Sequence, residues 1–309
     1  MPDIVIRTHG LTREFSTLRA VDSLSIQVPA GTIFGFLGPN GSGKTTTIRM
    51  LLGLLEPTAG RAEVLGYDTR TQADEIRLRC GALLEHPGLY ERFSAWDNLE
   101  FYARIWRLSR RERRARIEEL LRGVGLWERR QESVGRWSRG MKQKLAVARA
   151  MLHRPAVLFL DEPTAGLDPV AASVLREDLA RLARQEGVTV FLTTHNLAEA
   201  EKLCHSVAVI RAGRLLAVGN PDELRARARP RAEISGRGIS EAVLEALRAR
   251  EEVMSAEMRD ARLTVELRPG AELGPLVTML VSAGVQIEEV RKASLEDVFL
   301  TLVQEEQRC

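Results

Sequence analysis

The sequence contains few cysteines and no long apolar run. Its three cysteines, Cys80, Cys204 and Cys309, are scattered and form no CxxC pair, which argues against a disulfide framework or a zinc site and fits reduced thiols in a cytosol. No apolar run reaches the roughly 18 residues of a membrane-spanning helix, and the initial MPDIVIRTHG lacks the charged-then-apolar layout of a signal peptide. If the protein works at a membrane, we therefore expect another chain to cross it.

The sequence also lacks an excess of either charge. The net charge of +3 on 309 residues is too small to indicate nucleic-acid binding by itself. Apolar residues make up 44% and charged residues 28% of the chain, which is the composition of an ordinary globular protein with an ample core. The length predicts one large or two medium domains.

Strand-like and helical patterns divide the chain into two regions. From residue 4 to about 220, the runs IFGFLG, AVLFLDE and VTVFLTTH are short, apolar and followed by helices, which is typical of a parallel sheet covered on both faces. IVIRTHG and LSIQV alternate apolar and polar residues and predict half-buried strands. After the linker-like RARARPRA, the predicted order is β-α-β-β-α-β, a ferredoxin-like unit. A last helix is predicted at SLED, where Ser294 and Asp297 have capping-box spacing.

GPNGSGKT, at residues 38–45, is the strongest motif of the sequence. It fits G-x-x-x-x-G-K-[ST] and lies between a predicted strand and a predicted helix, which is the context that confirms a P-loop. Gly41 and Gly43 let backbone N–H groups turn towards phosphate, Lys44 brings a charge to the β- and γ-phosphates, and Thr45 offers a hydroxyl to Mg²⁺. The predicted nucleotide-binding residues are Gly38, Pro39, Asn40, Gly41, Ser42, Gly43, Lys44, Thr45 and Thr46.

Two adjacent acids end the strand in VLFLDEPTAGLD, at residues 157–168. Asp161 can hold Mg²⁺ through water, and Glu162 can reach an attacking water as a general base. An acidic turn after a strand is common alone, but beside a P-loop this pair predicts a hydrolase.

His195 ends the apolar run VTVFLTTH. A lone histidine at a strand end is more often packed or facing solvent than catalytic. This one is predicted at the same sheet edge as Lys44 and Asp161, where ligands of α/β folds bind. Together with the first two motifs, it is predicted to act on the γ-phosphate.

A helix in WSRGMKQKLAVARA begins with Ser138, Arg139 and Gly140. The N–H groups in the first turn of a helix have no partner within the helix, and the helix dipole places about half a positive charge there. Ser138 adds a hydroxyl, Gly140 an unobstructed backbone and Arg139 a cation. The start of this helix is therefore predicted to bind an anion.

These motifs, in this order, resemble those of the ATP-binding subunits of ABC transporters over roughly residues 4–220. The resemblance implies an α/β P-loop ATPase domain with a mostly parallel sheet, N-terminal antiparallel strands and a helical subdomain at about 86–152. It also implies that two copies sandwich two ATP molecules, with the signature helix of one copy facing the P-loop of the other. The anion is then the γ-phosphate of ATP held by the second copy, contacted by Ser138, Gly140 and Met141.

The resemblance assigns three further roles. Phe15 stands where an aromatic residue stacks on adenine, Asp168 where an aspartate bridges the two sites, and Glu162 at the catalytic base. The cofactors that the resemblance implies are ATP and Mg²⁺.

Three positions depart from the family pattern. Arg139 replaces the usual glycine and Met141 a frequent glutamine in the signature. Glu85, in ALLEHPGLY, replaces the usual glutamine that touches Mg²⁺ and the attacking water. A carboxylate can still ligate metal and accept from water, so Glu85 stays among the predicted residues. The predicted metal ligands are Thr45, Asp161 and Glu85, and the predicted catalytic residues are Lys44, Glu85, Glu162 and His195.

SRGM and LLEHPGLYER resemble one branch, the ATPases of ABC-2-type exporters, including the daunorubicin-resistance type. That branch often carries a small C-terminal domain ending in a segment like SLEDVFL. The expected domains are therefore 1–224, which binds nucleotide, and 225–309, which is regulatory or accessory.

The expected function is an ATPase at the cytoplasmic face of the membrane that drives a separate transmembrane permease, as an exporter of a drug, lipid or other hydrophobic compound. The alternative is a soluble ABC-type switch on a ribosome or DNA. Such switches usually have tandem nucleotide-binding domains or a long coiled coil, and the single P-loop favours the transporter.

The basic stretch RLSRRERRARIEELLR leaves two interpretations open. It is either a solvated helix face with some i,i+4 Glu–Arg support, or a face towards anionic lipid headgroups. No nucleic-acid contact is expected of it, since aromatic interleaving is absent.

Overall fold

The computed structural model describes residues 3–227, 231–259, 262–268, 271–292 and 294–299. The chain divides into two compact units, Met1–Val218 and Gly219–Cys309. The boundary expected from sequence lies at residue 224, and separate domain roles for the two units stay a prediction.

The first unit contains eleven strands among its described residues. They are β1 (Ile4–Phe15), β2 (Leu18–Leu24), β3 (Gln27–Pro29), β4 (Ile33–Leu37), β5 (Ala59–Val64), β6 (Tyr67–Asp68), β7 (Cys80–Leu83), β8 (Val157–Asp161), β9 (Thr189–Thr194), β10 (Ser206–Arg211) and β11 (Arg214–Gly219). Its helices are α1 (Lys44–Leu51), α2 (Ala73–Arg79), α3 (Ala95–Ile105), α4 (Arg110–Gly123), α5 (Arg139–Ala150), α6 (Pro169–Glu186) and α7 (Leu197–Leu203).

A six-stranded sheet of order β11-β10-β4-β9-β8-β7 forms the centre of this unit. From β10 to β7 every neighbouring pair is parallel, so the carboxyl ends of these strands share one edge. All residues of β4, β8 and β9 are buried, and Phe34, Phe36 and Phe159 pack around Phe191. The predicted parallel sheet is therefore confirmed, and the predicted edge for ligands exists.

The N-terminal strands form a second sheet. Its order is β2-β1-β5-β6, with β3 also paired to β1, and its described pairs are antiparallel. The predicted antiparallel strands are thus confirmed. LSIQV, however, is not one strand: it straddles the end of β2 and the start of β3, because Ser23 adopts a left-handed backbone with φ of 52° just before it.

Helices α3, α4 and α5 form the helical subdomain predicted at about 86–152. Serine caps begin all three, and Ser109 forms a complete capping box with Glu112 at the start of α4. In the basic stretch, Arg116 is buried and pairs with Glu186 of α6 at 2.6 Å, whereas Arg110 and Arg111 are exposed. The stretch is therefore partly structural, and its contact with lipid stays a prediction.

The second unit contains α8 (Pro221–Arg227), β12 (Arg231–Arg237), α9 (Glu241–Arg248), β13 (Val253–Arg259), β14 (Arg262–Leu267), α10 (Gly274–Ser282) and β15 (Gln286–Lys292). Its sheet has the order β13-β14-β12-β15, with antiparallel neighbours throughout. Ile234, Leu247, Leu263 and Leu280 lie fully buried in its core. The predicted ferredoxin-like order is confirmed. The helix predicted at SLED begins at residue 295, and Cys309 lies outside the described residues.

Two observations concern the expectations that the chain has no disulfide framework and no membrane-spanning helix. Cys80 and Cys204 are buried free thiols, and burial raises the pKa of each to about 12, so both are unreactive packing residues. Within the described ranges, none of the helices has both the length and the apolar character needed to cross a bilayer.

Truncation after Arg227 is expected to leave a folded nucleotide-binding unit, because the last strand of its two sheets, β11, ends at Gly219. Cooperative thermal unfolding and binding of a fluorescent ATP analogue check this. Aggregation of the truncated chain, or loss of all nucleotide binding, contradicts the two-domain division.

Candidate active site

The loop between β4 and α1 leaves a helix N-terminus without a side-chain cap. Its N-cap residue is Gly43, with φ of 102°, and Gly41 also has positive φ, at 79°. A Cβ at Gly43 would collide with the carbonyl oxygen of Ala20, so only glycine fits there. The N-termini of α5 and α6 are instead capped by Ser138 and Asp168. The first turn of α1 is therefore open to an anion.

Lys44 is the first residue of α1 and is only 6% exposed. Its Nζ donates to the carbonyl oxygens of Gly38 at 2.8 Å and Pro39 at 3.0 Å, and lies 3.1 Å from Glu162 Oε1. The buried ammonium is thus held by its own loop and paired with the acid predicted to be the base.

Thr45 and Asp161 lie together, as the sequence predicts. The Thr45 hydroxyl donates to Asp161 Oδ2 at 2.6 Å, and the Thr193 hydroxyl donates to Asp161 Oδ1 at 2.5 Å. Thr193 was not predicted. Its register opposite Asp161 in the β8–β9 pair places it there. The available signal was the pair of threonines, Thr193 and Thr194, at the carboxyl end of the buried strand β9.

Glu162 follows β8 in a left-handed backbone conformation, with φ of 49°. Its N–H donates to the Thr193 hydroxyl at 3.0 Å, and its Oε2 lies 2.7 Å from His195 Nδ1. Such a conformation costs a non-glycine residue of order 1–3 kcal/mol and persists where the surroundings impose it. The carboxylate therefore stands between Lys44 and His195 at the edge of the parallel sheet.

Glu85 lies two residues beyond β7, which pairs with β8 in the register Leu83 to Leu160. Its Oε1 is 2.9 Å from Nη2 of Arg49, on α1, and both side chains are about half exposed. The structure thus places Glu85 beside the site but pairs it with Arg49. A catalytic or metal-binding role for Glu85 stays a prediction, and it requires the carboxylate to leave that arginine.

Ser138 caps α5 by accepting from the N–H of Met141 at 3.3 Å. The Arg139 guanidinium packs over Gly166, where a Cβ would collide with it, and a Cβ at Gly140 would lie 3.1 Å from that of Ala171. The start of α5 therefore packs on the segment 166–171 of its own chain. Helix α5 contacts α3, α4, α6 and β7, whereas α1 contacts β2, β5 and β8.

Two predicted residues lie at other surface positions. Asp168 caps α6 by accepting from Ala171 N–H at 2.9 Å. Phe15 ends β1 and is 41% exposed, with the Arg13 guanidinium 4.6 Å from its ring centroid. Arg13 lies over one face of the ring, and the exposed part of the side chain is accessible to a flat ligand.

Known proteins resemble the chain in sequence. The ABC transporter family profile matches residues 21–165. The bacitracin transport ATP-binding protein of Bacillus licheniformis is 37% identical over 302 residues, covering 97% of each chain. A daunorubicin resistance ATP-binding protein of Streptomyces coeruleorubidus is 37% identical over all of this chain and 98% of its own. The Nod factor export ATP-binding protein I of Cupriavidus metallidurans is 39% identical, over 98% of this chain and 99% of its own.

Solved structures agree with the predicted fold. An ATP-binding subunit of an ABC transporter superposes with a TM-score of 0.64 at 32% identity, over 72% of this chain and 92% of its own. CbiO1 of Clostridium perfringens, part of an ABC transporter complex, superposes with a TM-score of 0.68 at 26% identity, over 81% of this chain and 96% of its own. The predicted likeness to the exporter branch with daunorubicin-resistance proteins is confirmed by the sequence relatives. Because relatives match the chain from end to end at 37% identity or more, the chain belongs to the ATP-binding subunits of ABC transporters and is an ATPase of that family.

Proposed function

We propose that two copies of the chain bind Mg-ATP between them, and that its hydrolysis drives a transmembrane permease that exports a hydrophobic compound. The main observation in support of this proposal is that five predicted site residues lie together at one edge of the parallel sheet, next to the uncapped start of α1. They are Lys44, Thr45, Asp161, Glu162 and His195.

The residues of the loop fit a polyphosphate. The open first turn of α1 offers N–H groups, Lys44 offers a charge, and the hydroxyl of buried Ser42 has no hydrogen-bond partner among the described residues. Phe15 supplies an exposed ring on which adenine can stack. These features support a site in which the phosphates of ATP bind at residues 38–46 and the adenine ring stacks on Phe15.

Thr45 and Asp161 fit Mg²⁺. Their oxygens are 2.6 Å apart, and the described residues contain no cluster of three or more His, Cys, Asp or Glu that could hold a metal alone. Mg²⁺ commonly keeps several waters and binds through one or two protein groups and substrate phosphates, so this sparse donor set suits it. When bound, the ion neutralises developing charge on the phosphates. Glu162 accepts the proton of the attacking water, and His195 contacts the γ-phosphate.

A second copy completes the site in this proposal. Ser138 and Asp168, at the N-termini of α5 and α6, are both exposed and therefore accessible to a second copy. Ser138, Gly140 and Met141 then contact the γ-phosphate bound by the other copy, and Asp168 bridges the two sites.

Ser138→Arg tests this composite site. We expect nearly unchanged ATP binding by the monomer and no hydrolysis, because the arginine prevents closure on the partner's nucleotide. Ser240→Arg is the matched control, since Ser240 also caps a helix, α9, by accepting from Val243 N–H. Each loses a cap worth about 1 kcal/mol, but only the first is expected to lose hydrolysis. Normal hydrolysis by Ser138→Arg contradicts the composite site.

An exposed aromatic patch supports a permease partner. Tyr90, Phe93 and Phe101 are each about 40% exposed, with ring centroids 5.3 Å apart for Tyr90–Phe93 and 4.9 Å for Tyr90–Phe101, and exposed Ile105 extends the apolar surface. Contiguous exposed apolar surface commonly marks a protein interface. We place the permease on this patch, which makes the protein peripheral at the cytoplasmic face of the membrane.

The names of the relatives support export. Those relatives are described by bacitracin transport, daunorubicin resistance and Nod factor export, and none of these names refers to a ribosome or DNA. A soluble switch therefore has no observation in its favour. Co-purification of the chain with a membrane fraction only when a permease is co-expressed checks the assignment.

A further inference from the structure

The Glu85 loop, residues 84–90, is held by side chains of the helical subdomain. The Tyr102 hydroxyl, on α3, donates to Gly88 O at 2.6 Å. Buried Asn98, also on α3, accepts from Tyr90 N–H at 2.8 Å and donates to Tyr90 O at 3.0 Å. The middle and the far end of the loop are therefore both fixed to α3.

Arg149, on α5, holds the near end of the same loop. Its Nη2 donates to Ala82 O, near the end of strand β7 that leads into the loop, at 3.3 Å. Its guanidinium lies 5.0 Å from the Tyr102 ring centroid and within 3.5 Å of where a Gly88 side chain would begin. Arg149 and Tyr102 thus form one clamp across the loop.

The guanidinium of Arg149 is an unusual choice for a packing role. Burial lowers its pKa, only partly offset by Tyr102, and its Nε is enclosed without a hydrogen-bond partner. Within the part of the chain that the structure describes, no carboxylate lies within ion-pair distance of it. Arg149 is half-buried, and a partly desolvated charge without such a partner costs stability, whereas an apolar side chain of similar volume is often neutral or stabilising at such a site. Stability alone therefore does not account for Arg149.

We propose that Tyr102 and Arg149 are positioning residues for ATP hydrolysis, because together they fix the Glu85 loop to α3 and α5. Strand β7 runs into this loop beside the end of β8, which carries Asp161 and leads to Glu162. Displacement of the clamp therefore moves Glu85 relative to the two acids. The proposal rests on the proposed function, since the position of Glu85 matters only if hydrolysis occurs at this edge.

Tyr102→Phe, Arg149→Met and their combination test the clamp in the full-length protein. Phenylalanine keeps the ring and removes only the hydroxyl, and methionine keeps most of the volume and removes the charge. We expect kcat to fall roughly tenfold in each, since displacements of about 1 Å can cost up to 10²-fold, with KM for ATP within about threefold of its original value. The double variant is expected to be no slower than the slower single variant, because both break the same clamp.

Hydrogen exchange gives a readout that does not depend on activity. Peptides covering residues 84–90 are expected to exchange about tenfold faster in both single variants, and peptides from α4 to exchange as before. The unfolding temperature is expected to stay within about 4 °C, because none of the described carboxylates forms an ion pair with Arg149 that would be lost. A purely structural arginine gives the reverse: a large fall in unfolding temperature, with kcat unchanged in the folded protein.

Arg122→Met is the matched control. Arg122 also lies over an aromatic ring, 4.5 Å from the centroid of Trp127, but it is exposed on α4 and pairs with Glu118. The Arg122→Met substitution is expected to change neither kcat nor the hydrogen-exchange rate of the Glu85 loop. Unchanged loop exchange in Arg149→Met, or faster exchange with unchanged kcat, overturns the proposal. If the unmodified protein hydrolyses no ATP, the proposed function fails instead, and loop exchange alone decides whether the clamp exists.

Discussion

Lys44→Ala is expected to lose both ATP binding and ATP hydrolysis. The ammonium is pre-positioned by the carbonyl oxygens of Gly38 and Pro39, so it meets a phosphate without further ordering of its side chain. A hydrogen bond to a charged group contributes about 1.5–3 kcal/mol, which corresponds to roughly a 10- to 150-fold loss of affinity. Turnover is expected to fall by a further 10²–10³-fold, because the same charge stabilises the transition state.

The structure adds a second reason for this loss. Lys44 is the cation next to Glu162 Oε1, so its removal leaves that carboxylate paired with His195 alone. The remaining negative charge then faces incoming phosphates without compensation. Equilibrium binding of a fluorescent ATP analogue and phosphate release measure the two effects separately.

Lys202→Ala is the control for this experiment. Lys202 is exposed on α7, and its replacement is expected to leave both binding and turnover within about twofold, as is usual for surface substitutions. ATPase activity of Lys44→Ala equal to that of the unmodified protein contradicts the assignment of the loop at residues 38–45.

The P-loop and the parallel sheet were predictable because their signals are local. Gly41, Gly43 and Lys44 stand in one uninterrupted motif, and the apolar runs of β4, β8 and β9 each identify a buried strand by themselves. The shared edge follows from parallel pairing, and for this reason the sequence alone predicts that Asp161 and His195 lie together with Lys44.

The partners of the site residues were not predictable, because they come from distant parts of the chain. Thr193 reaches Asp161 through strand register, and Arg49 meets Glu85 across 36 positions of sequence. Similarly, Arg116 looked like one of many surface arginines, but it is buried against Glu186, 70 positions away. Periodicity marks which face of a helix is apolar, whereas the pairing of single charges depends on the tertiary packing.

Glu162→Gln is expected to bind ATP but to hydrolyse it 10²–10⁴-fold more slowly, the usual cost of removing a general base. Glutamine keeps the size of the side chain and can still bond to His195, so the left-handed backbone at this position need not rearrange. The substitution also removes a negative charge beside Lys44, which favours retention of the phosphates. A dimer with ATP trapped inside is the expected result, measured as a doubling of mass in solution that requires Mg-ATP.

Glu85→Gln separates the two acids that could take the proton. It restores the usual family residue, and it breaks only the half-exposed pair with Arg49, a kind of ion pair that contributes about 0–1 kcal/mol. We therefore expect Glu85→Gln to hydrolyse ATP at near the original rate and to remain monomeric once ATP is consumed. If Glu85→Gln is inactive and Glu162→Gln is active, the base lies in the Glu85 loop, and the position of Glu162 between Lys44 and His195 serves the binding of ATP instead.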